Sequence, residues 1–171
     1  DNVDAYFGRA IDYMLVQDFV EAIKDYDKVI ELDPSFVMAY FNRAVVRYNQ
    51  LVYNMSQSSQ DELAAMTMEL NAAKRRSPVA SNPVDASTAM LKDNKRAYEH
   101  EMIVRDYDMA IKLNPDFVFA YFNRGNLRCA QKDFRAAILD YTEAIRRDPD
   151  FAEAYFNRGL ARLSQGDANR G

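Results

Sequence analysis

His100 and Cys129 are the residues whose types suit catalysis best, and each stands alone in the 171-residue sequence. His100 is the only histidine and lies between Glu99 and Glu101, where a solvated helix residue is a better interpretation than a general base. Cys129 has no second cysteine to form a CxxC metal motif. The five glycines form no phosphate-binding loop. We therefore predict no catalytic residue, no metal ligand and no cofactor, and a chain that is not an enzyme.

Charge and hydropathy argue against two kinds of partner. The formal net charge of -4 provides no large positive field, so we do not expect nucleic acid as a partner. No run of eighteen apolar residues occurs, and the N-terminus has no basic stretch followed by an apolar one. We therefore predict no membrane insertion and no signal peptide in this sequence.

The cellular compartment cannot be assigned from the sequence. A single cysteine cannot form an internal disulfide, so cysteine usage does not indicate an oxidising or a reducing compartment.

The sequence contains an internal repeat, which indicates the structural units that would carry a binding surface. The motif Ala-Tyr-Phe begins at residues 5, 39, 120 and 154, so the same short period separates the first two copies and the last two. The middle interval exceeds the period by 47 residues, so one repeat contains an insertion of that length. The segment DYDMAIKLNP at 106–115 closes the interrupted repeat, which places the insertion between the two halves of the second repeat. A period of about 34 residues, as found here, is typical of stacked helix-turn-helix units.

These segments resemble the tetratricopeptide-repeat (TPR) family everywhere except in the inserted stretch. Small residues stand where helices must approach closely, tyrosines serve as wedges between helices, and prolines separate the repeats. The positions that carry the resemblance are Ala10, Ala44, Gly125, Gly159, Ala22, Ala137, Tyr6, Tyr40, Tyr121, Tyr155, Tyr26, Tyr107, Tyr141, Pro34, Pro115 and Pro149. The resemblance implies an all-α fold, a right-handed superhelical solenoid of antiparallel helix pairs with a helical insertion.

The repeats divide the chain into units within a single TPR domain that covers residues 1–171. We predict these units and the insertion at about 3–36, 37–50 plus 98–117, 118–151, a half repeat at 152–171, and the insertion at about 51–97.

Charged residues recur with the repeat. The first helices carry arginine pairs four residues apart, and the second helices carry an aspartate just before a tyrosine. These residues are Arg43 with Arg47, Arg124 with Arg128, Arg158 with Arg162, and Asp25, Asp106 and Asp140. We predict arginine–aspartate bridges between helices, with a structural role rather than ligand binding. We also predict that Asp18, Asp133 and Asp167 cap the second helices.

The insertion reads as a protruding helical hairpin. Ser59 and Glu62 have the spacing of a capping box, which predicts a short helix at about 60–75. Residues 75–87 are rich in serine and proline and read as a linker, after which helix-forming residues resume near Ala86. Two interpretations stay open: a surface excursion without a binding role, or a lid that forms a second contact surface for a partner.

The resemblance implies that the first helices line a concave groove. The predicted groove residues are Phe7, Met38, Phe41, Asn42, Phe119, Phe122, Asn123, Asn126, Phe156 and Asn157. Asparagine amides both donate and accept hydrogen bonds, as a peptide backbone requires. The alternative is that the phenylalanines pack between adjacent helices and are largely buried already.

The resemblance implies a protein-protein interaction module that binds a protein or peptide of unknown identity. One subtype of the family binds acidic C-terminal tails of chaperones through basic groove residues. Met38, Phe119 and Glu153 stand where such a clamp needs positive charge, so a chaperone tail is not expected. The alternative function is self-assembly, with the groove or the open C-terminal end covered by the insertion or a second copy, as in a homodimer through the C-terminal half repeat.

Overall fold

The computed structural model describes residues 2–73 and 86–168, and all the regular secondary structure in those residues is helical, as predicted. Seven helices are described there. In chain order they are α1 (Val3–Leu15), α2 (Phe19–Leu32), α3 (Val37–Ala73), α4 (Ala86–Leu113), α5 (Val118–Ala130), α6 (Phe134–Arg147) and α7 (Ala152–Ala168).

The helices stack in the order of the chain. Each helix contacts the next one, and α5 also contacts α7. Because contacts join near neighbours only, the arrangement is the predicted solenoid of antiparallel helix pairs. None of the described helices is both long enough and apolar enough to cross a membrane.

Capped turns separate the helices of the first and third repeats. The carboxylates of Asp18 and Asp133 accept the backbone N–H three residues later, at 3.3 and 3.1 Å, so these two predicted caps are confirmed. The residues just before them, Gln17 and Lys132, adopt left-handed backbone with φ of 61° and 63°. Residues other than glycine adopt this conformation only at some cost, and here it ends the preceding helix.

The prediction that Asp167 caps the start of a second helix was wrong. Helix α7 continues through this position to Ala168. In the first and third repeats the capping aspartate is followed by a half-buried phenylalanine, Phe19 or Phe134, which begins the second helix, whereas here Ala168 follows. The side chain of Asp167 lies outside the described residues.

Small residues sit where the tyrosines of the second helices pack. Ala10, Ala22 and Tyr26 are fully buried together in the first repeat. In the third repeat a Cβ built on Gly125 would lie 2.8 Å from the ring of Tyr141, closer than real Cβ contacts allow. Side-chain volume at these positions is therefore limited by the tyrosine on the facing helix.

The insertion begins without a break in α3. A separate helix starting near residue 60 was predicted wrongly, because α3 runs unbroken from Val37 to Ala73. No proline or glycine interrupts this stretch, so the helix of the second repeat simply extends into the insertion. Ser59 does not cap a helix. Its hydroxyl donates to the Met55 carbonyl at 3.0 Å, one turn earlier in the same helix.

The hairpin returns through α4, which begins at Ala86 as predicted and runs unbroken into the second helix of the repeat. The two arms meet at an exposed ion pair of 3.0 Å between Lys92 and Glu62, and this pair lowers the pKa of the Glu62 carboxyl. The predicted linker at 75–87 lies outside the described residues up to residue 85.

Candidate functional site

Tyrosine–asparagine pairs join each repeat to the following one. The tyrosine is buried on a second helix, and the asparagine lies on the first helix of the next repeat. The pairs are Tyr26 with Asn42, Tyr107 with Asn123, and Tyr141 with Asn157. Burial raises the pKa of all three phenols, and the asparagine amide opposes that effect in each case. These hydroxyls therefore stay protonated and available as hydrogen-bond donors.

The third pair belongs to a network centred on Asn126. The Asn126 side-chain oxygen accepts from the Tyr141 hydroxyl at 2.8 Å and from the Asn157 amide at 2.9 Å. Both acceptor positions of that oxygen are thus filled. Among the described residues, the amide nitrogen of Asn126 and the amide oxygen of Asn157 form no hydrogen bond. The network therefore leaves one amide donor, on Asn126, and one amide acceptor, on Asn157, without a partner in the described residues.

The first pair is looser. The Tyr26 hydroxyl is buried without a hydrogen-bond partner in the described part of the chain. The Asn42 amide is near enough to oppose the rise in the Tyr26 pKa, but it does not reach hydrogen-bond geometry. A buried hydroxyl without a partner destabilises the fold by about 1–3 kcal/mol.

Two cavities lie on either side of Asn126, between successive first helices. The larger, about 260 Å³, is lined by Asn126, Cys129, Phe134, Tyr141, Asn157, Leu160, Ala161 and Ser164. The smaller, about 210 Å³, is lined by Val45, Tyr48, Tyr107, Asn123, Asn126 and Leu127. We call these lining residues together the amide groove. No lysine or arginine lines either cavity, and the polar groups there are mostly amides and hydroxyls.

Three of the predicted groove phenylalanines pack beside the tyrosines. Each is half-buried and contacts the tyrosine of its own second helix and the phenylalanine that opens the next repeat. The triplets are Phe7, Tyr26 and Phe36; Phe41, Tyr107 and Phe117; and Phe122, Tyr141 and Phe151. The ring centroids of the two phenylalanines in each triplet are 4.9, 4.7 and 4.7 Å apart. Much of their surface is therefore already used for packing between helices.

The remaining predicted residues are more exposed. Phe156 has no such tyrosine beside it in the described residues and is 66% exposed. Phe119 and Met38 are also exposed, and the Phe119 ring contacts Phe151 at 5.7 Å. The structure thus brings Asn123, Asn126 and Asn157 together around the two cavities. The binding role of all ten residues stays a prediction.

Sequence reasoning missed some lining residues. Tyr48, Phe134 and Ser164 line the cavities but were not singled out. Tyr107 and Tyr141 were interpreted only as wedges, although their side chains also line the groove. Tyr48 lies seven residues after Phe41, two helical turns along the same face, and that spacing was the available signal.

The predicted arginine–aspartate bridges are confirmed in the second and third repeats, where both arginines of each pair bond Asp106 or Asp140. In the first repeat Asp25 pairs at 2.7 Å with Arg9, which was not among the predicted arginines. Arg158 and Arg162 form no bridge to an aspartate within the described residues, and Arg158 donates instead to the Thr142 hydroxyl. The three aspartates are buried, so these are not the solvent-exposed pairs of a typical protein surface. Burial lowers the pKa of Arg43, but its hydrogen bonds and charge interactions with Asp106 and Asp27 together outweigh that effect and raise the pKa above its ordinary value. These charges are used within the fold and are not available to a ligand.

The chemically reactive side chains do not converge. His100 is half-buried on α4, where burial and the nearby Arg96 lower its pKa. Cys129 lines the larger cavity with its sulfur 3.5 Å from the Tyr141 hydroxyl. Within residues 2–73 and 86–168, no group of three or more histidine, cysteine, aspartate or glutamate side chains is placed to hold a metal ion.

Sequence comparisons identify two repeat families in this chain. The family described as TPR repeat matches residues 125–166, and the family described as tetratricopeptide repeat matches residues 3–36. No curated protein is similar enough in sequence to count as a match.

Solved TPR structures share the fold at low sequence identity. The first TPR of Spaghetti (RPAP3) bound to HSP90 peptide SRMEEVD has a TM-score of 0.64 at 17% identity, covering 96% of this chain and 93% of that one. The Sgt2 TPR domain from Aspergillus fumigatus has a TM-score of 0.63 at 15% identity, covering 99% and 82%. The TPR2B domain in the pHsp70 complex of yeast Sti1 has a TM-score of 0.59 at 17% identity, covering 96% and 97%.

Proposed function

We propose that this chain, which is a tetratricopeptide-repeat protein, is a non-catalytic module that binds an extended peptide or protein segment in the amide groove. The observation that carries the proposal is the hydrogen-bond network of Asn126. It leaves the Asn126 amide nitrogen and the Asn157 amide oxygen beside a cavity of about 260 Å³. A peptide unit offers the complementary pair, a carbonyl that accepts and an N–H that donates.

The chemistry of the groove favours a neutral segment. Both cavities are lined by amides, phenols and apolar side chains, without a basic residue. The RPAP3 domain is bound to the HSP90 peptide SRMEEVD, and the Sti1 domain is in a complex with pHsp70. We propose a different ligand class for this chain, because an acidic tail would find no positive charge in the two cavities to offset its desolvation. Recognition through backbone groups would tolerate different side chains in the bound segment.

Exposed aromatic side chains extend the proposed site beyond the cavities. Phe119 and Phe156 lie on first helices and keep most of their surface in water. Covering one such ring stabilises a complex by roughly 1.5–3 kcal/mol. Apolar side chains of the bound segment would contact these rings, while its backbone bonds to Asn126 and Asn157.

Peptide selection tests the proposal. Residues 1–171 would be used to select peptides from a random displayed library, and dissociation constants would be measured by fluorescence anisotropy. Asn157→Ala and Phe156→Ala should each weaken the selected peptides about tenfold or more. Leu139→Ala is the matched control, because this exposed leucine lies on second helix α6, away from the groove.

Peptides that bind equally well to wild type and both groove variants would place the binding surface elsewhere. Failure to select any peptide above background would count against peptide binding itself.

Self-assembly is the second candidate function, favoured by the apolar surface of α7. Tyr155, Leu160 and Leu163 are all exposed on this helix. Sedimentation equilibrium over a range of concentrations decides between a monomer and a dimer. A dimer that Leu163→Glu converts to monomer would support self-assembly through α7, and a monomer at all concentrations would dismiss it.

A further inference from the structure

The first arm of the inserted hairpin is a direct extension of a groove-lining helix. Val45 and Tyr48 on α3 line the smaller cavity of the amide groove, and α3 continues unbroken from there to Ala73. Residues three or four apart on a helix share one face. The positions that continue the face of Val45 and Tyr48 into the hairpin are Val52, Met55, Ser59, Leu63 and Met66. We call these five residues the hairpin stripe.

The hairpin stripe is apolar and open to solvent. Val52 and Met55 are 47% and 42% exposed, and Leu63 and Met66 are 65% and 70% exposed. None of the five positions carries a charge. The one hydroxyl, on Ser59, already donates to the Met55 carbonyl at 3.0 Å. The stripe therefore offers a ligand mainly apolar contact.

The stripe is not the surface that holds the two arms of the hairpin together. At the base of the hairpin Leu51 is buried in one cluster with Ile103. Further out, Glu62 on α3 pairs with Lys92 on α4. Leu51 and Glu62 each stand one residue before a stripe position, which turns them by about 100° around the helix from it. Folding of the hairpin therefore leaves the stripe uncovered within the described residues.

The geometry of the stripe favours a helix over an extended segment as its ligand. From Val52 to Met66 the stripe covers about four helical turns, or about 21 Å. The backbone groups inside α3 bond one another, so this arm has no free N–H or C=O to pair with an extended chain. A helix satisfies its own backbone and needs only apolar side chains that fit between those of the stripe. Leucine and the flexible methionines suit such packing.

We propose that the hairpin stripe binds an amphipathic helix of the partner, continuous in sequence with the segment that lies in the amide groove. The inference rests on the proposed function, because the groove holds one end of this helix. A segment bonded to Asn126 reaches the smaller cavity, where Val45 and Tyr48 lie. Val52 is the next residue on that face of α3. Neither the two cavities nor the stripe contains a basic residue, so one neutral ligand suits both surfaces.

Selection from a library of long peptides tests the continuation. Each displayed peptide would join about 10 random residues, enough to cross the groove in extended form, to about 18 residues patterned as an amphipathic helix. Peptides selected on residues 1–171 would be labelled with fluorescein and measured by fluorescence anisotropy, whole and as separate halves. We expect the whole peptide to bind at least about tenfold more tightly than its extended half, because the second contact is intramolecular.

Two exposed methionines provide a matched pair of variants. Met66 belongs to the stripe, whereas Met68 is 72% exposed and lies two residues later, on the other side of α3. Leu63→Gln combined with Met66→Gln, the stripe variant, should weaken the whole peptide about tenfold or more and leave its extended half unchanged. Met68→Gln should change neither. Glutamine and methionine have similar helix propensities, so α3 keeps its fold in all these variants.

The pattern of losses separates this inference from the proposed function. Peptides that Asn157→Ala weakens but the stripe variant does not would overturn the inference and leave the proposed function standing. Peptides weakened only by the stripe variant would disprove the continuity with the groove. Peptides insensitive to both variants, or failure to select any long peptide above background, would overturn both proposals.

Two other occupants of the stripe have distinct signatures. A dimer of residues 1–171 in sedimentation equilibrium that the stripe variant converts to monomer would assign the stripe to a second copy. The anisotropy titration would also be repeated with any longer natural form of the chain. If that form failed to bind the peptides that residues 1–171 bind, the stripe would be covered by the chain's own sequence. Either result would overturn the proposal.

Discussion

Arg43 donates two hydrogen bonds to Asp106, at 3.0 and 2.5 Å, although 63 residues separate them in the sequence. This pair joins the two helices of the second repeat at the base of the inserted hairpin. Arg47 adds a third bond to the same carboxylate at 2.5 Å. The repeat therefore closes around a buried ion cluster despite the insertion, and the hairpin extends from an anchored base.

Removing the Asp106 carboxylate should be among the more costly single changes in this chain. Asp106→Ala leaves two partly buried guanidinium groups without their shared partner, so we expect a loss of about 3–5 kcal/mol in the free energy of unfolding. Asp27→Ala is the control, because this aspartate is 51% exposed and bonds only Arg43, and it should cost at most about 1 kcal/mol. Urea denaturation measures both. Equal losses for the two variants would contradict the importance of burial.

Alanine should have opposite effects at two helical glycines. Gly125→Ala places a Cβ 2.8 Å from the Tyr141 ring, and we expect a loss of about 1–3 kcal/mol from the strain. Gly8→Ala has open space and should gain up to about 1 kcal/mol from helix propensity. Thermal unfolding followed by circular dichroism compares the variants. A stabilising Gly125→Ala would show that the facing helices separate without cost.

The buried tyrosines should make the fold sensitive to alkali. Burial raises the pKa of Tyr26, Tyr107 and Tyr141 above the ordinary value of 10. Above pH 10 the unfolded chain loses phenolic protons that the folded chain retains, so the free energy of unfolding falls as pH rises. Each tyrosine contributes up to about 1.4 kcal/mol per pH unit. Urea denaturation at a series of pH values measures this slope.

Tyr26→Phe tests the contribution of one of these tyrosines. The variant should show a shallower alkaline slope than wild type. It should lose no stability at neutral pH, because the Tyr26 hydroxyl has no hydrogen-bond partner among the described residues. Tyr98→Phe, at an exposed position on α4, is the control and should follow the wild-type profile. An unaltered slope for Tyr26→Phe would show that its phenol titrates normally in the folded chain.

Two polar residues with similar sequence signals should differ in their effect on stability. Asp133→Ala removes a helix cap and should cost about 1 kcal/mol. Ser59→Ala should change stability by less than about 0.5 kcal/mol, because Ser59 lies inside α3 and bonds only the preceding turn. Chemical denaturation of both variants is the measurement. A loss at Ser59 as large as that at Asp133 would indicate a helix start that α3 does not show.

The repeat period and local spacing made much of this architecture predictable. Asp18 and Asp133 follow a helix pattern by a fixed number of residues, and capping depends only on the next turn of backbone. The arginine pairs share a face because they are four residues apart, and the helical period alone places them together. Features that depend on neighbours within one helical turn, or on an exact recurrence of the repeat, can be predicted from the sequence alone.

Tertiary packing decided what the period leaves open. Phe122 and Phe156 occupy equivalent places in the sequence, yet one packs between Tyr141 and Phe151 while the other is exposed. The hydrogen bonding of Asn126 and Asn157 is a second example. The Tyr141 hydroxyl and the Asn157 amide nitrogen both donate to the Asn126 oxygen, which leaves the Asn126 nitrogen and the Asn157 oxygen without a partner in the described residues. Exposure and hydrogen-bond availability are set by contacts between residues far apart in the chain. No pattern within a single helix contains that information.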